Sequence, residues 1–246
     1  MDSFRDFWQG LALIQQHQAT HMLLDIKICG LKQPESVAAA LAGGATHLGF
    51  IFFEKSPRHV TPQIARALAA SALGKALSVA VTVDADDASL DAIVSVMHPA
   101  MLQLHGSETP QRVAAVKARF AMPVMKALSI REAADLQRAS PYVGIADRFL
   151  FDAKPPIGTE LPGGNGTAFD WSLLERLDRS IDYVLSGGIN EANVGEAILN
   201  THASGIDVSS GVERAPGVKD QTLIAMFLGK VRRVEKQRAK AARKAG

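Results

Sequence analysis

From residue 24 onward, short runs of β-branched and other apolar residues alternate with alanine- and leucine-rich stretches. This alternation constrains the fold most strongly, because repeated strand–helix units build a parallel sheet covered by helices. Eight strand candidates are present: 24–29, 47–53, 76–83, 100–104, 124–128, 149–152, 183–186 and 205–208. Eight units in roughly 220 residues match an α/β fold, the (β/α)8 TIM barrel, which commonly has about 250 residues.

Helix-start signals between the strand candidates agree with this pattern, since each places an acid, a hydroxyl or a proline in the first turn. They are Pro34-Glu35, Thr61-Pro62, Asp86-Asp87, Glu108-Thr109-Pro110, Asp170-Trp171-Ser172 and Asn190-Glu191. A doubly wound open sheet is the alternative, but it usually carries a glycine fingerprint after its first strand. The first turn here reads Cys29-Gly30-Leu31-Lys32, which favours the barrel.

Length and charge indicate a single domain with two terminal additions. The 246 residues, 47% hydrophobic and 21% charged, are typical of one globular domain. We expect the barrel over 24–235, an N-terminal extension over 1–23 that is helical or disordered, and a basic tail over 236–246. The Lys and Arg residues concentrated toward that end indicate a solvated terminus. Binding to nucleic acid is not expected, because it would need a matching basic face on the barrel.

The cysteine content and the apolar runs bear on the compartment. Cys29 is the sole cysteine, so the chain forms neither an intramolecular disulfide nor a zinc site with two or more thiolates. The longest uncharged run, 36–53, is divided by Gly43-Gly44 and Thr46-His47 into differently patterned halves and is not expected to span a membrane. The first residues lack the basic start and apolar core of a secretion signal. We therefore expect a cytoplasmic protein with no membrane partner.

Polar side chains follow the C-terminal ends of the strand candidates, where barrel enzymes place their active sites. Cys29 ends the first strand and Asp152 the sixth, so we expect them to face one ligand from opposite sides and to divide base and acid work. Arg58, after the second strand, has a planar fork that suits a carboxylate. His105 and Asp207, at the fourth and eighth strand ends, are candidate substrate contacts. The simpler explanations are a buried thiol that fills space, a solvated arginine and polar rim residues.

The loops after the seventh and eighth strands combine glycine and serine: Gly187 and Gly188 in one, Ser209, Ser210 and Gly211 in the other. Barrels commonly bind phosphate at this position through backbone N–H groups and hydroxyls. The sequence therefore predicts a small phosphorylated substrate. The alternative is that these glycines only shape tight turns. The glycine-rich segment 163–166 is either a mobile loop over the site or a plain linker.

Two lysines near the strand ends leave further alternatives open. Lys126, near the end of the fifth strand, is placed where a Schiff base with a carbonyl substrate would make the chain an aldolase. Lys27 is expected on the face of its strand opposite to Cys29. The cation that helps Cys29 to form a thiolate therefore stays open.

Several short motifs, in this order, resemble the phosphoribosylanthranilate isomerase family from residue 27 to about 227. They are Lys27-Ile28-Cys29-Gly30, Gly49-Phe50-Ile51-Phe52, Ser56-Pro57-Arg58, Gln103-Leu104-His105-Gly106, Leu150-Phe151-Asp152, Gly163-Gly164-Asn165-Gly166, Phe169-Asp170-Trp171, Leu185-Ser186-Gly187-Gly188 and Asp207-Val208-Ser209-Ser210-Gly211-Val212-Glu213. The resemblance implies an isomerase of tryptophan biosynthesis that needs no cofactor or metal, with Asp152 as acid and Cys29 as base. Residues 1–23 and the basic tail depart from the family's usual extent.

The implied reaction is an Amadori rearrangement of N-(5-phosphoribosyl)anthranilate to 1-(2-carboxyphenylamino)-1-deoxyribulose 5-phosphate, catalysed by a monomer or homodimer. Asp152 must hold a proton near neutrality although free aspartic acid has a pKa of about 3.9, and Cys29 must lose one although a free thiol has about 8.5. The histidine-pathway isomerase of the same fold is the alternative, acting on a ribosylamine with two phosphates. That enzyme typically uses two aspartates, so Cys29 and the single predicted phosphate site argue against it.

Overall fold

The computed structural model describes residues 24–154 and 168–245, which contain a closed barrel of eight parallel strands. The strands are β1 Asp25–Cys29, β2 His47–Phe52, β3 Leu77–Thr82, β4 Met101–Leu104, β5 Val124–Ile130, β6 Arg148–Ala153, β7 Tyr183–Leu185 and β8 Gly205–Val208. Each strand pairs with the next, and β8 pairs with β1 to close the ring. The predicted (β/α)8 barrel is confirmed, and each strand candidate corresponds to an observed strand.

Helices connect most of the strands on the outside of the barrel. The α-helices are α1 Pro34–Ala42, α2 Pro62–Ala70, α3 Asp87–Met97, α4 Pro110–Phe120, α5 Val194–Asn200 and α6 Gln221–Ala245. Short 3-10 helices span Ala133–Tyr142, Trp171–Arg176 and Ser210–Val212, and a strand pair, β9 Glu213–Ala215 and β10 Val218–Lys219, follows β8. Pro141 inside the first 3-10 helix has no N–H to donate, which disfavours a regular α-helix there.

Side-chain caps begin three of the helices as the sequence predicts, each accepting a hydrogen bond from the backbone N–H three residues later: Thr61, Asp86 and Thr109. The start predicted at Asn190-Glu191 is wrong by a few residues, because α5 begins at Val194. Instead, the Asn193 side chain accepts a hydrogen bond from the Asn190 N–H at 2.8 Å and donates one to the Gly188 carbonyl at 2.9 Å. These bonds tie the segment to the loop after β7.

Some predictions fall outside the described residues, namely the N-terminal extension over 1–23 and the glycine-rich segment 163–166. The basic tail expected over 236–246 continues α6, which runs without a break from Gln221 to Ala245. No helix in the described part of the chain is both long enough and apolar enough to cross a membrane.

Strand alternation gives the barrel two separate apolar layers. One set of buried side chains fills the interior of the barrel: Cys29, Val79, Val81, Met101, Met125, Ala127, Leu150 and Val184. The other set faces outward and packs under the helices in a larger cluster. Parallel strands are covered on both faces in this way, which explains why their sequences read as nearly continuous apolar runs. The polar residues at the C-terminal strand ends are therefore the exceptions that mark a site.

Helix α6 packs against α1 at a place that only glycine fits. Gly43 follows α1, and a Cβ added there would lie 2.3 Å from Leu228 Cδ1 and 2.9 Å from Leu228 Cβ. Leu228 is fully buried in α6, so it has little room to move. The close approach holds the last helix of the chain against the first helix of the barrel.

We predict that Gly43→Ala lowers the free energy of unfolding by about 1–3 kcal/mol, because it overpacks a filled contact. Gly229→Ala is the matched control: it lies next to Leu228 within α6, and its added Cβ would meet no atom within 4 Å. The control should raise stability by roughly 0.5–1 kcal/mol through helix propensity. Chemical denaturation of both variants checks the prediction, and an equally stable Gly43→Ala protein would contradict it.

Candidate active site

A cavity opens at the C-terminal end of the barrel, with about 670 Å³ of empty space counted out to its mouth. Nine of the ten predicted site residues line it, all except Gly211. Ile51, Phe53, Val81 and Val83 form an apolar side of the wall. A cavity that is mostly apolar with a few convergent polar groups is typical of a small-molecule site.

Cys29 lies at the end of β1 with its side chain turned into the cavity wall, where it is 5% exposed. Its carbonyl accepts a hydrogen bond from Ser209 Oγ at 3.1 Å, which links the ends of β1 and β8. Burial raises the pKa of the Cys29 thiol above its ordinary value, and this effect outweighs the nearby ammonium groups of Lys27 and Lys219, which lower it. The thiol is therefore the favoured form of Cys29 at neutral pH.

The position predicted for Lys27 is wrong. Residues two apart in a strand share a face, so Lys27 points into the barrel beside Cys29 rather than away from it. Lys27 Nζ lies 2.8 Å from Asp207 Oδ1, and both side chains are buried. The second oxygen of Asp207 accepts a hydrogen bond from Ser186 Oγ at 3.0 Å. Asp207 lines the cavity as predicted, but both of its oxygens already have protein partners.

Asp152 is the last residue of β6 whose side chain points into the barrel, and it is 4% exposed. His105 Nε2 lies 3.2 Å from Asp152 Oδ2, and His105 Nδ1 lies 2.8 Å from Gln103 Nε2. If the Gln103 amide donates to Nδ1, the proton of a neutral imidazole sits on Nε2, facing the carboxyl group. The His105–Asp152 contact is an ion-pair distance without hydrogen-bond alignment. Gln103 and His105 together fix one side of Asp152.

The Arg58 guanidinium binds a carboxylate of the protein and is not exposed to solvent. Its Nε and Nη2 donate to Glu213 Oε1 and Oε2, both at 2.8 Å, and the side chain is 4% exposed. Lys219 Nζ lies 2.8 Å from Glu213 Oε1 and donates to the Ser209 carbonyl at 2.8 Å. Burial opposes the charged form of Glu213, but Arg58 and Lys219 outweigh it and hold the pKa of Glu213 below its ordinary value.

The predicted phosphate-binding loops lie side by side at the cavity. Gly187 and Gly188 have φ of +83° and +62°, a conformation that favours glycine. Within the described residues, neither of their backbone N–H groups donates to a protein acceptor. Ser209 and Ser210 line the same cavity. Gly211 lies behind this wall, where a Cβ would be 2.1 Å from the Ile189 carbonyl oxygen, so it packs the two loops together.

Lys126 is excluded as the Schiff-base residue of an aldolase. It points to the outer face of β5, is 1% exposed and does not line the cavity. Its ammonium lies 2.8 Å from Glu108 Oε2 and 2.8 Å from the Gly106 carbonyl oxygen. The aldolase interpretation is wrong because alternation along β5 turns residue 126 away from the barrel interior, where Met125 and Ala127 point.

Two charged residues of this site, Glu213 and Lys219, had no role in the sequence-based prediction. Glu213 lies 155 residues after Arg58, and no periodicity or local motif connects them. Lys219 stands in the unpredicted strand β10. The position of Lys27, by contrast, was available from its spacing to Cys29, because a period of two places them together. The His105–Gln103 pair has the same spacing.

Comparisons with known proteins identify a family model, a sequence relative and solved structures that carry the same enzyme name. A family model described as N-(5'-phosphoribosyl)anthranilate (PRA) isomerase matches residues 26–230. A protein of Brucella canis named N-(5'-phosphoribosyl)anthranilate isomerase is 68% identical over 206 residues, covering 84% of this chain and 93% of that protein. The crystal structure of phosphoribosyl anthranilate isomerase from Thermotoga maritima has a TM-score of 0.75 and 33% identity, covering 85% of this chain and 99% of that one.

A second solved structure, of phosphoribosyl anthranilate isomerase in complex with reduced 1-(o-carboxyphenylamino)-1-deoxyribulose 5-phosphate, is similar at a TM-score of 0.74 and 31% identity. The match covers 85% of this chain and 99% of that chain. The similarity therefore extends over the whole described barrel and includes a relative with a phosphorylated ligand.

We predict that Lys126→Met lowers the free energy of unfolding by about 3–5 kcal/mol, because it leaves the buried Glu108 carboxylate without its cation. The cavity should be unaffected in the folded protein. The rate at which iodoacetamide alkylates Cys29, the sole thiol, measures this under conditions where the variant stays folded. A clear change in that rate would contradict the placement of Lys126 outside the site.

Proposed function

The chain belongs to the N-(5'-phosphoribosyl)anthranilate isomerase family, and we propose that Cys29 and Asp152 divide the proton transfers of its reaction. The enzyme converts N-(5'-phosphoribosyl)anthranilate to 1-(2-carboxyphenylamino)-1-deoxyribulose 5-phosphate in tryptophan biosynthesis. The histidine-pathway isomerase is not retained as an alternative, because the family model and the named relatives all belong to the anthranilate enzyme. We expect the protein to act in the cytoplasm as a monomer or homodimer.

The rearrangement needs one acid and one base. Protonation of the furanose oxygen breaks the C1–O bond, and the ribosylamine opens to an iminium. Removal of the proton on C2 then gives an enolamine, and protonation at C1 with loss of the proton on the C2 hydroxyl leaves the ketone at C2. The proton count balances, since one proton enters at the ring oxygen and one at C1, while one leaves C2 and one leaves the C2 hydroxyl. Each transfer benefits from a side chain held in place.

The observation that supports the division of labour is the placement of Cys29 and Asp152 in one cavity on β1 and β6, which are not neighbours in the barrel. A sugar lying between them presents its ring oxygen toward one group and C2 toward the other. Asp152 is assigned as the acid from the resemblance to the family, and His105 Nε2 lies 3.2 Å from its carboxyl group. Cys29 is assigned as the base, and its thiolate receives the proton from C2.

The two ends of the substrate have different chemistry, and the cavity offers a different surface for each. The loops with Gly187, Gly188, Ser209 and Ser210 supply backbone N–H groups and hydroxyls that suit the phosphate. We place the anthranilate ring toward the apolar side of the wall and its carboxylate toward Arg58. Because Glu213 holds Nε and Nη2, it fixes the guanidinium plane in the cavity wall before substrate arrives.

We predict that Cys29→Ser and Asp152→Asn each lower kcat by about 10² to 10⁴, because each removes one positioned proton-transfer group. The KM should change little, since neither group is assigned to the phosphate or the carboxylate. Loss of substrate fluorescence measures turnover, and the exposed Asp87→Asn serves as the control. A variant with a raised KM and an unchanged kcat would identify that residue as a binding contact instead.

Burial raises the pKa of Cys29, which predicts how the reactivity of this thiol depends on pH. The thiolate is then a minor form at neutral pH, and its fraction grows as the pH rises toward the thiol pKa. We therefore predict that iodoacetamide alkylates Cys29 of the wild-type enzyme faster as the pH rises from neutral into the alkaline range. An alkylation rate that is flat over this range would contradict a thiol whose pKa is raised by burial.

We predict that Ser210→Asp raises KM by about tenfold or more, because a carboxylate in the loop repels the substrate phosphate. Inhibition by inorganic phosphate should weaken in parallel, while kcat is largely kept. Deletion of residues 236–246 is the control, since this segment is basic in sequence and its residues 236–240 do not line the cavity. If the deletion abolished phosphate inhibition and Ser210→Asp did not, the phosphate site would lie elsewhere.

A further inference from the structure

We propose that the ammonium of Lys27, held in place by Asp207, stabilises the thiolate of Cys29 and so acts as a positioning residue for the base. The inference rests on the assignment of Cys29 as the base made above. It identifies the cation that stabilises the thiolate form of Cys29, which the buried environment otherwise disfavours. Three features of the barrel carry it: the shared strand face, the missing side chain at Gly49 and the fixed partner on β8.

Lys27 and Cys29 lie together because β1 turns both inward and β2 leaves room for them. Gly49 is the register partner of Cys29 on β2. A Cβ at Gly49 would lie 2.8 Å from Cys29 Sγ and 3.1 Å from Lys27 Cε, so the two side chains border the same small space. Any larger residue at this position would force them apart. The glycine of this strand therefore has a packing role specific to the pair.

Asp207 fixes the lysine from the other neighbouring strand. It is the register partner of Lys27 on β8, and the 2.8 Å contact between Nζ and Oδ1 is fully enclosed. Burial disfavours the ammonium, but the carboxylate of Asp207 and the ionised Cys29 outweigh burial and raise the pKa of Lys27. Lys27 thus stays charged throughout the catalytic cycle, and it neither takes nor gives a proton.

Several other charged groups face Cys29, and their effects on it differ in size and sign. On β8, Asp207 raises the pKa of Cys29, but by less than Lys27 lowers it. On β10, Lys219 also lowers it, by less than Lys27 does, and this lysine is bonded to Glu213 and Ser209. Across the cavity stand Arg58, His105 and Asp152; the first is bonded to Glu213, and the other two lie at an ion-pair distance from each other. Lys27 is the strongest of the cations acting on the thiolate.

The chemical consequence concerns when the base becomes available. A thiolate that depended only on the iminium of the opened substrate would form after ring opening. The permanent charge of Lys27 instead supplies part of the stabilisation before substrate binds. Asp207 compensates that charge, so the barrel interior carries a paired ammonium rather than an isolated one. The pairing lowers the free-energy cost of burying the ammonium.

The test uses the rate of alkylation of Cys29 by iodoacetamide as a function of pH in the full-length protein. Cys29 is the only cysteine, so the rate reports its thiolate fraction alone. Lys27→Met keeps the length of the side chain and removes its charge. An opposite charge at close range shifts a pKa by about one to three units, so alkylation at a fixed pH near neutrality should slow by about tenfold to a thousandfold.

Lys126→Met is the matched control for this test. It also removes a wholly buried lysine from a 2.8 Å ion pair with a carboxylate, but on the outer face of the barrel. Its alkylation profile should match that of the wild type. A slowing as large as that of Lys27→Met would show that any loss of a buried lysine disturbs the thiol, and it would overturn the inference.

The double variant Lys27→Met/Asp207→Asn is used if Lys27→Met alone fails to fold. It removes both members of the ion pair and therefore leaves no unpaired buried charge. Its alkylation should also be slower than in the wild type, because the effect of Lys27 exceeds that of Asp207. In the variant that folds, kcat should fall while KM changes little, which a defect that disturbed the binding cavity would not give. An alkylation profile identical to that of the wild type overturns the inference. Slower alkylation with unchanged turnover instead overturns Cys29 as the base.

Discussion

The pairing of β1 with β8 closes the barrel, and it joins two segments that lie 180 residues apart in the chain. This closure places Lys27 directly opposite Asp207 and brings Ser209 Oγ to the Cys29 carbonyl. Without it, Cys29, the proposed base, would lack both the nearby ammonium of Lys27 and its contact with the loop that we propose to bind phosphate. The remaining strands then carry the proposed acid Asp152, the apolar wall and Gly187 and Gly188 around the same opening.

The barrel interior is small and apolar toward its centre, so each charged group that enters it needs a partner. The inward-facing charges near the mouth meet this condition in separate pairs. Lys27 is paired with Asp207, while Arg58 and Lys219 share Glu213. These pairs do more than satisfy burial, since they set the orientation of the groups that we assign to the substrate. The site is therefore arranged before any ligand arrives, which reduces the entropy lost on binding.

Sequence reasoning predicted the architecture because the repeated strand–helix pattern is local and is strengthened by helix caps such as Thr61 and Asp86. It also predicted most of the residues at the cavity, since the C-terminal strand ends of a barrel must meet. Strand alternation distinguishes Lys27 from Lys126 as well, but it was applied wrongly to Lys27 and was not applied to Lys126. What it did not predict is contact between distant side chains: Glu213 with Arg58 depends on the β9–β10 segment, which carries no periodic signal.

Substrate deuterated at C2 tests the proposed division of work between Cys29 and Asp152. In Cys29→Ser the removal of the C2 proton becomes the slow step, so we predict a large primary isotope effect on turnover. In Asp152→Asn ring opening becomes slow, and the isotope effect should fall to near unity. An isotope effect that is large in Asp152→Asn and absent in Cys29→Ser would contradict the assigned roles.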